Sequence, residues 1–256
     1  IEGTVDLGPN SEIAGPGEGA SYLDEAGAVL TGDIVGGYGS KLVTVRGTLL
    51  GSVQLGNEDD VVTLAGTVEG DIYAGGGGDT VVIAGRPHIS GRVDAEGGDA
   101  DLLVFSGDAG TWNVGQFGGF EYLRVDGDSS VRLADTWSFE QIFVSGGGRL
   151  TVGGDPDDGL RGQLTVDAGG AYALDGVHYG DVTNYGLLAG NGRISNMALP
   201  SAHLYNYGVV APGGDAIGTF TVADDFHQYA DGRLDIQLGA PGQSDLLAVG
   251  GTAYLD

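Results

Sequence analysis

The sequence predicts an all-β fold, a right-handed parallel β-helix (solenoid) ending in a C-terminal capping segment, and three observations carry that prediction. Glycine supplies 52 of the 256 residues and is spread through the whole chain. An interior glycine costs a helix about 1 kcal/mol relative to alanine, so long helices are disfavoured. Between the glycines lie strand-length runs rich in Val, Leu, Ile and Thr, at residues 42–45, 61–64, 81–83 and 102–105. These runs recur at a constant interval, and periods near 20 residues are the mark of solenoids.

Residues 47–65 (GTLLGSVQLGNEDDVVTLA) and 66–84 (GTVEGDIYAGGGGDTVVIA) align without a gap at an offset of 19. They match at Gly47/Gly66, Thr48/Thr67, Gly51/Gly70, Gly56/Gly75, Asp60/Asp79, Val62/Val81 and Ala65/Ala84. A third copy begins at Gly85 and reaches Asp101-Leu-Leu-Val-Phe105 with three extra residues, as expected where a turn carries an insertion. Further on, Phe120-Glu-Tyr-Leu-Arg-Val125 and Phe139-Glu-Gln-Ile-Phe-Val144 are again 19 apart. A unit of that size holds two or three short strands and buries little alone. Stacking units at the ~4.8 Å strand spacing pairs each strand with its equivalents and aligns the inward Val, Leu, Ile and Phe into one core. On this reading the chain makes about twelve or thirteen turns. A β-sandwich shares the short strands and the glycine, but the strict register counts against it.

From residue 184 the period lengthens. Asn184-Tyr-Gly-Leu-Leu-Ala-Gly190 is echoed by Asn206-Tyr-Gly-Val-Val-Ala-Pro212 at an offset of 22. We therefore divide the chain into β-helix turns at 1–183 and a terminal segment at 184–256. The inward candidates of that segment alternate with polar or small residues: Leu187, Val209, Ile217, Phe220, Val222, Leu234, Ile236, Leu246 and Val249.

The order of short motifs here is specific: Gly190-Asn-Gly192, Asn206-Tyr-Gly208, Ala211-Pro-Gly213, Ile217-Gly-Thr-Phe-Thr-Val222, Gly232-Arg-Leu-Asp-Ile-Gln-Leu238 and Asp245-Leu-Leu-Ala-Val-Gly250. It resembles the end of bacterial autotransporter (type V secretion) passengers, the pertactin-like region before the linker and outer-membrane barrel. Phe220 stands where that family usually has Leu. The resemblance covers about residues 184–256 and implies a role as autochaperone, the segment that folds first and templates the turns behind it. It further implies an extracellular or cell-surface location reached through periplasm and outer membrane, and export through a barrel of the same precursor. A host surface receptor or glycan is the implied adhesive partner.

Charge narrows the partners. Acidic residues outnumber basic ones 36 to 10, for a net charge of −26, and the chain has one Lys and nine scattered Arg. Such a surface repels phosphate backbones, so no nucleic-acid partner is expected, and anionic lipid is disfavoured on the same ground. There is no Cys, which fits passage through an oxidising compartment. The first residue is Ile, and neither a signal peptide nor an apolar membrane-spanning run is apparent, so we expect a fragment or processed product.

No enzyme is expected. His88, His178, His203 and His227 show no metal-ligand spacing and no Ser lies in G-x-S-x-G, so they read as surface or turn histidines. The pairs Asp59/Asp60, Asp157/Asp158 and Asp224/Asp225 are adjacent and would face opposite ways in a strand. The alternative is a β-helical polysaccharide-degrading enzyme, a class that does use clustered aspartates. No cofactor is expected either, although Ala74-Gly-Gly-Gly-Gly-Asp79 approaches the calcium nonapeptide of β-rolls with its aspartate one place early. The other reading makes Asp60 and Asp79 caps for turn amides. Trp112, Trp137 and Tyr122, Tyr172, Tyr179, Tyr185, Tyr205 and Tyr207 would suit a sugar-binding strip, but stacked core or edge positions are the better reading.

Overall fold

The computed structural model describes residues 3, 5–6, 21–23, 25–98, 100–155, 157–196 and 202–256. It is all-β, a parallel β-solenoid of about nine turns. Among the described residues, helix is confined to one 3-10 turn, Val114–Gln116. Two compact units are present, residues 1–109 with 115–123, and residues 110–114 with 124–256.

In the first unit each turn contributes a strand to each of three parallel sheets. One sheet stacks Ser21–Leu23, Leu42–Val45, Val61–Leu64 and Thr80–Ala84, the last pairing with residues 102–106. A second stacks Val29–Thr31, Thr48–Leu50, Thr67–Val68 and His88–Ile89. The third runs Val5–Asp6, Ile34–Val35, Val53–Gln54, Ile72–Tyr73, Val93–Asp94 and Phe117–Gly118. The register converts the 19-residue repeat into columns of identical positions. Val43, Val62, Val81 and Leu103 stack directly, as do Val45, Leu64, Ile83 and Phe105, and all eight are fully buried. Just before the first column Leu42 and Val61 face outward, while between the columns Thr63 and Val82 are half-buried and Thr44 and Val104 buried. Burying each such side chain contributes about 1.5–3 kcal/mol, so four residues per column supply most of the cohesion between turns. The offset between Val81 and Leu103 is 22, which matches the expected three-residue insertion.

The second unit is also paired in parallel, with longer strands, Thr136–Val144 against Gly159–Val166 among them. One column stacks Leu150, Tyr172, Leu188, Val210 and Leu234, and another Leu164, Val182, Leu204 and Phe226. The pairing runs without a break from residues 164–166 through 182–184 to 204–206, on either side of residue 184. Turn length is less regular than the repeat implies: Thr219 pairs with Leu246 at an offset of 27. Other turns are shorter, Tyr172 pairing with Leu188 at an offset of 16, and the described residues form about nine turns instead of twelve or thirteen.

Candidate functional site

The N-Y-G repeat of the second unit acquires a cause for each of its three residues. Asn184 and Asn206 are fully buried, one above the other. Asn184 Nδ2 donates to Asn206 Oδ1 at 2.8 Å, and Asn206 Nδ2 donates to Gln228 Oε1 at 3.0 Å. The result is an amide ladder through three turns, in which each side chain supplies the donor and acceptor its neighbour needs. The tyrosines point outward and stack, Tyr185 on Tyr207 at 4.8 Å and Tyr207 on Tyr229 at 4.0 Å between ring centroids. Tyr207 is pushed up to about 12, chiefly by its hydrogen bond to the Tyr229 hydroxyl. The glycines allow close approach: a Cβ on Gly208 would overlap the Gly186 carbonyl.

Of the nine inward candidates, Phe220 and Val222 are fully buried. Leu187 and Val209 are only half-buried, because the inward member of each apolar doublet is the second residue, Leu188 or Val210, both fully buried. Buried Asn184 and Asn206 set that phase at the corner, which alternation alone cannot reveal. Ile217 lies ahead of strand Thr219–Val222 and is exposed. Leu246 pairs with outward Thr219, so it too is exposed, and the inward partner of Phe220 is Leu247. Leu234 is exposed and Val249 half-buried, on strands that no further described strand covers, and Ile236 is exposed beyond the end of strand Arg233–Leu234.

The histidines divide. His88 is exposed beside Glu69, as a surface residue should be. His178, in contrast, is fully buried in a column between Leu160 and Ile194, correcting its surface or turn reading. Its Nδ1 meets the Tyr172 hydroxyl at 3.3 Å and its Nε2 the Gly162 carbonyl at 3.1 Å. Burial pushes His178 down to about 4, so the ring is neutral at pH 7. A polar pair in the core satisfies itself, a pattern that a lone histidine in sequence does not disclose.

His203 and His227 belong to an outward row in which Tyr205, His227 and Tyr254 occupy equivalent positions on successive turns. Ring centroids lie 4.9 Å apart for Tyr205 and His227 and 4.5 Å for His227 and Tyr254, with His203 6.1 Å from His227. Burial, followed by nearby Asp181, raises the Tyr205 hydroxyl. His203, Asp225 and His227 each offer a ligand atom, all within 4.8 Å of one another. The 22-residue turn brings them together, so no short-range motif marks them.

In the first unit, aspartates that recur with the repeat form a second buried column. Asp60 Oδ1 accepts the Lys41 amide, Asp79 Oδ1 the Asp60 amide at 2.8 Å, Asp101 Oδ1 the Asp79 amide at 2.7 Å, and Glu121 Oε2 the Asp101 amide at 3.0 Å. Asp60 and Asp79 therefore cap turn amides, while Asp59 stays exposed and accepts the Gly78 amide. Burial raises the Asp60 carboxyl and pushes Asp79 up to about 7, the latter helped by the facing carboxylates Asp60 and Asp101. Gly75, at φ +111°, has no room for a Cβ against the Gly56 carbonyl, which accounts for the glycine run before Asp79.

The aromatics do not form one strip. Trp112, Trp137 and Tyr172 are buried, Tyr122 is half-buried, Tyr179 lies under Arg161 at 4.7 Å, and Tyr185, Tyr205 and Tyr207 belong to the two stacks above. A groove of about 460 Å³ on the second unit is bordered by Arg149, Asp175, Asn191 and Asp215. Asp175 in it caps the Asn191 amide at 3.0 Å, as the other corner aspartates do. No helix of the described residues is long and apolar enough to cross a membrane. Comparison with family models, curated proteins and solved structures finds no match for this chain.

Proposed function

We propose that this chain is a non-enzymatic, right-handed β-helical stalk and folding segment of a secreted or surface-displayed passenger similar to those of autotransporters. In that role it presents an upstream domain or adheres to a host receptor or glycan, after export through a barrel of the same precursor. The observation that carries the reading is the amide ladder Asn184–Asn206–Gln228. A template must make the next turn pair in one register only, and apolar columns do this weakly, because Val, Leu and Ile substitute for one another. A buried amide is different: a slip by one residue leaves its donor and acceptor unpaired. The ladder therefore favours turn-by-turn addition from an ordered C-terminal end, each step ordering about one turn instead of forming a new nucleus.

The test compares refolding of the intact chain, a chain lacking residues 184–256, and a chain lacking residues 1–46. The first deletion should slow refolding strongly and the second hardly at all, with the isolated segment 184–256 retaining cooperative structure. If limited proteolysis digests the C-terminal segment first and leaves the N-terminal half as the resistant core, the folding role is wrong.

A further inference from the structure

The stacking of unequal turns places two imidazoles and a carboxylate together on the outward face of the second unit. Leu204 pairs with Phe226, so His203 and Asp225 precede facing strands on adjacent turns, and His227 follows Asp225 by two residues on the same side. We propose that His203, Asp225 and His227 bind a divalent first-row transition ion of the zinc class, leaving a fourth coordination position open.

Four features support the site. The donor atoms already lie within 4.8 Å of one another. Bonds of 2.0–2.1 Å in a tetrahedron separate donors by about 3.3 Å, so a pair at the outer limit closes by about 1.5 Å, a shift shared between two side chains. Second, His203 Nδ1 is buried and makes no hydrogen bond among the described residues, which is the condition a metal bond relieves. Third, the ligands are held. Asp225 Oδ1 accepts the Thr252 amide at 2.7 Å, leaving Oδ2 for the ion, and the His203 amide donates to Asp181 Oδ1 at 2.9 Å. The rings are clamped by stacking, His203 beside Tyr205 and His227 between Tyr205 and Tyr254. Such supporting contacts orient the coordinating side chains in metal sites generally. Fourth, two nitrogen donors and one oxygen select zinc-like ions over calcium or magnesium, which take oxygen sets of higher number. The net charge of −26 concentrates cations at the surface without discriminating among them, so selectivity rests on the imidazoles.

Three protein ligands with an open position suit capture of a donor from another molecule, or of water, better than a closed structural site. This inference is independent of the stalk reading, since the site stands on outward side chains that the folding role does not use.

The experiment is equilibrium dialysis of the metal-free intact chain against Zn²⁺ with Mg²⁺ in large excess to occupy scattered carboxylates. One equivalent of Zn²⁺ should bind, and Co²⁺ in its place should give the strong visible absorption of a four-coordinate ion. His203→Ala, Asp225→Asn and His227→Phe should each weaken binding at least ~10-fold, and His88→Ala, in the other unit, should not. His227→Phe keeps the ring in the stack, so it decides the matter should His203→Ala fail to fold by circular dichroism. Absence of stoichiometric uptake, or uptake unchanged in His227→Phe and Asp225→Asn, overturns the site.

Discussion

Replacing Asp79 with Asn should make the protein more stable at pH 8 and leave it unchanged at pH 4. The carboxyl is fully buried, with one oxygen holding the Asp60 amide at 2.8 Å and Oδ2 without a hydrogen bond among the described residues. Burial and the neighbouring acids push it up to about 7, against 3.8 for the free group. Below pH ~4 the group is protonated in both folded and unfolded chains and costs nothing. As pH rises from there to 7, the unfolded chain ionises while the folded chain keeps its proton, so stability falls; above 7 the loss is complete. Three units correspond to about 4 kcal/mol as a ceiling. Part of that shift is repulsion from the neighbouring acids and is not lost independently, so about 2 kcal/mol is the working expectation. Asn keeps the oxygen that accepts the Asp60 amide but carries no charge, so the variant should recover this amount at pH 8. Urea denaturation at pH 4, 6 and 8, comparing midpoints at constant m-value, measures it. Asp79→Ala should instead lose about 1–3 kcal/mol near pH 4, because it orphans the buried Asp60 amide. If Asp79→Asn proves less stable than the parent at pH 8, the ionised carboxylate is favoured by the fold and the argument fails.

His178 should oppose this trend. Its folded value of about 4 lies below the ordinary 6.5, so its contribution is intact above pH 6.5 and lost as pH falls toward 4, by at most about 3.5 kcal/mol. Melts of the Asp79→Asn protein over that range isolate the effect, and a flat profile would contradict a buried neutral imidazole. Val62→Asp or Val81→Asp places an unpaired carboxylate in a fully buried column and should cost several kcal/mol, on the order of 3–5; a soluble variant of parental stability would mean that these positions face water. Asn206→Leu leaves amide groups of Asn184 and Gln228 unpaired and should cost about 1–3 kcal/mol. Adding Asn184→Leu should cost less than an independent second loss, and a double-mutant cycle with no coupling energy would dissolve the ladder.

The spacing of repeats was enough, by itself, to determine the parallel stack and much of its register. An offset of 19 places Val62 beside Val81, and an offset of 22 places Asn184 beside Asn206, because in a solenoid one turn of sequence becomes one strand spacing in space. Repetition also singled out Asp60 and Asp79 as corner caps. It did not determine which member of an apolar doublet faces the core: Leu188 and Val210 point in and Leu187 and Val209 do not, since the phase is set where the chain turns the corner at the buried asparagines. Nor did it show that His178 sits inside, satisfied by Tyr172 six residues earlier in the same turn and by the Gly162 carbonyl of the turn before. His203 was likewise a full turn of sequence away from Asp225 and His227, with nothing to mark the three as neighbours. Sequence separation says where side chains stand along the chain, but whether they share an environment depends on turn length and on which way each strand faces, and only the tertiary structure decided those.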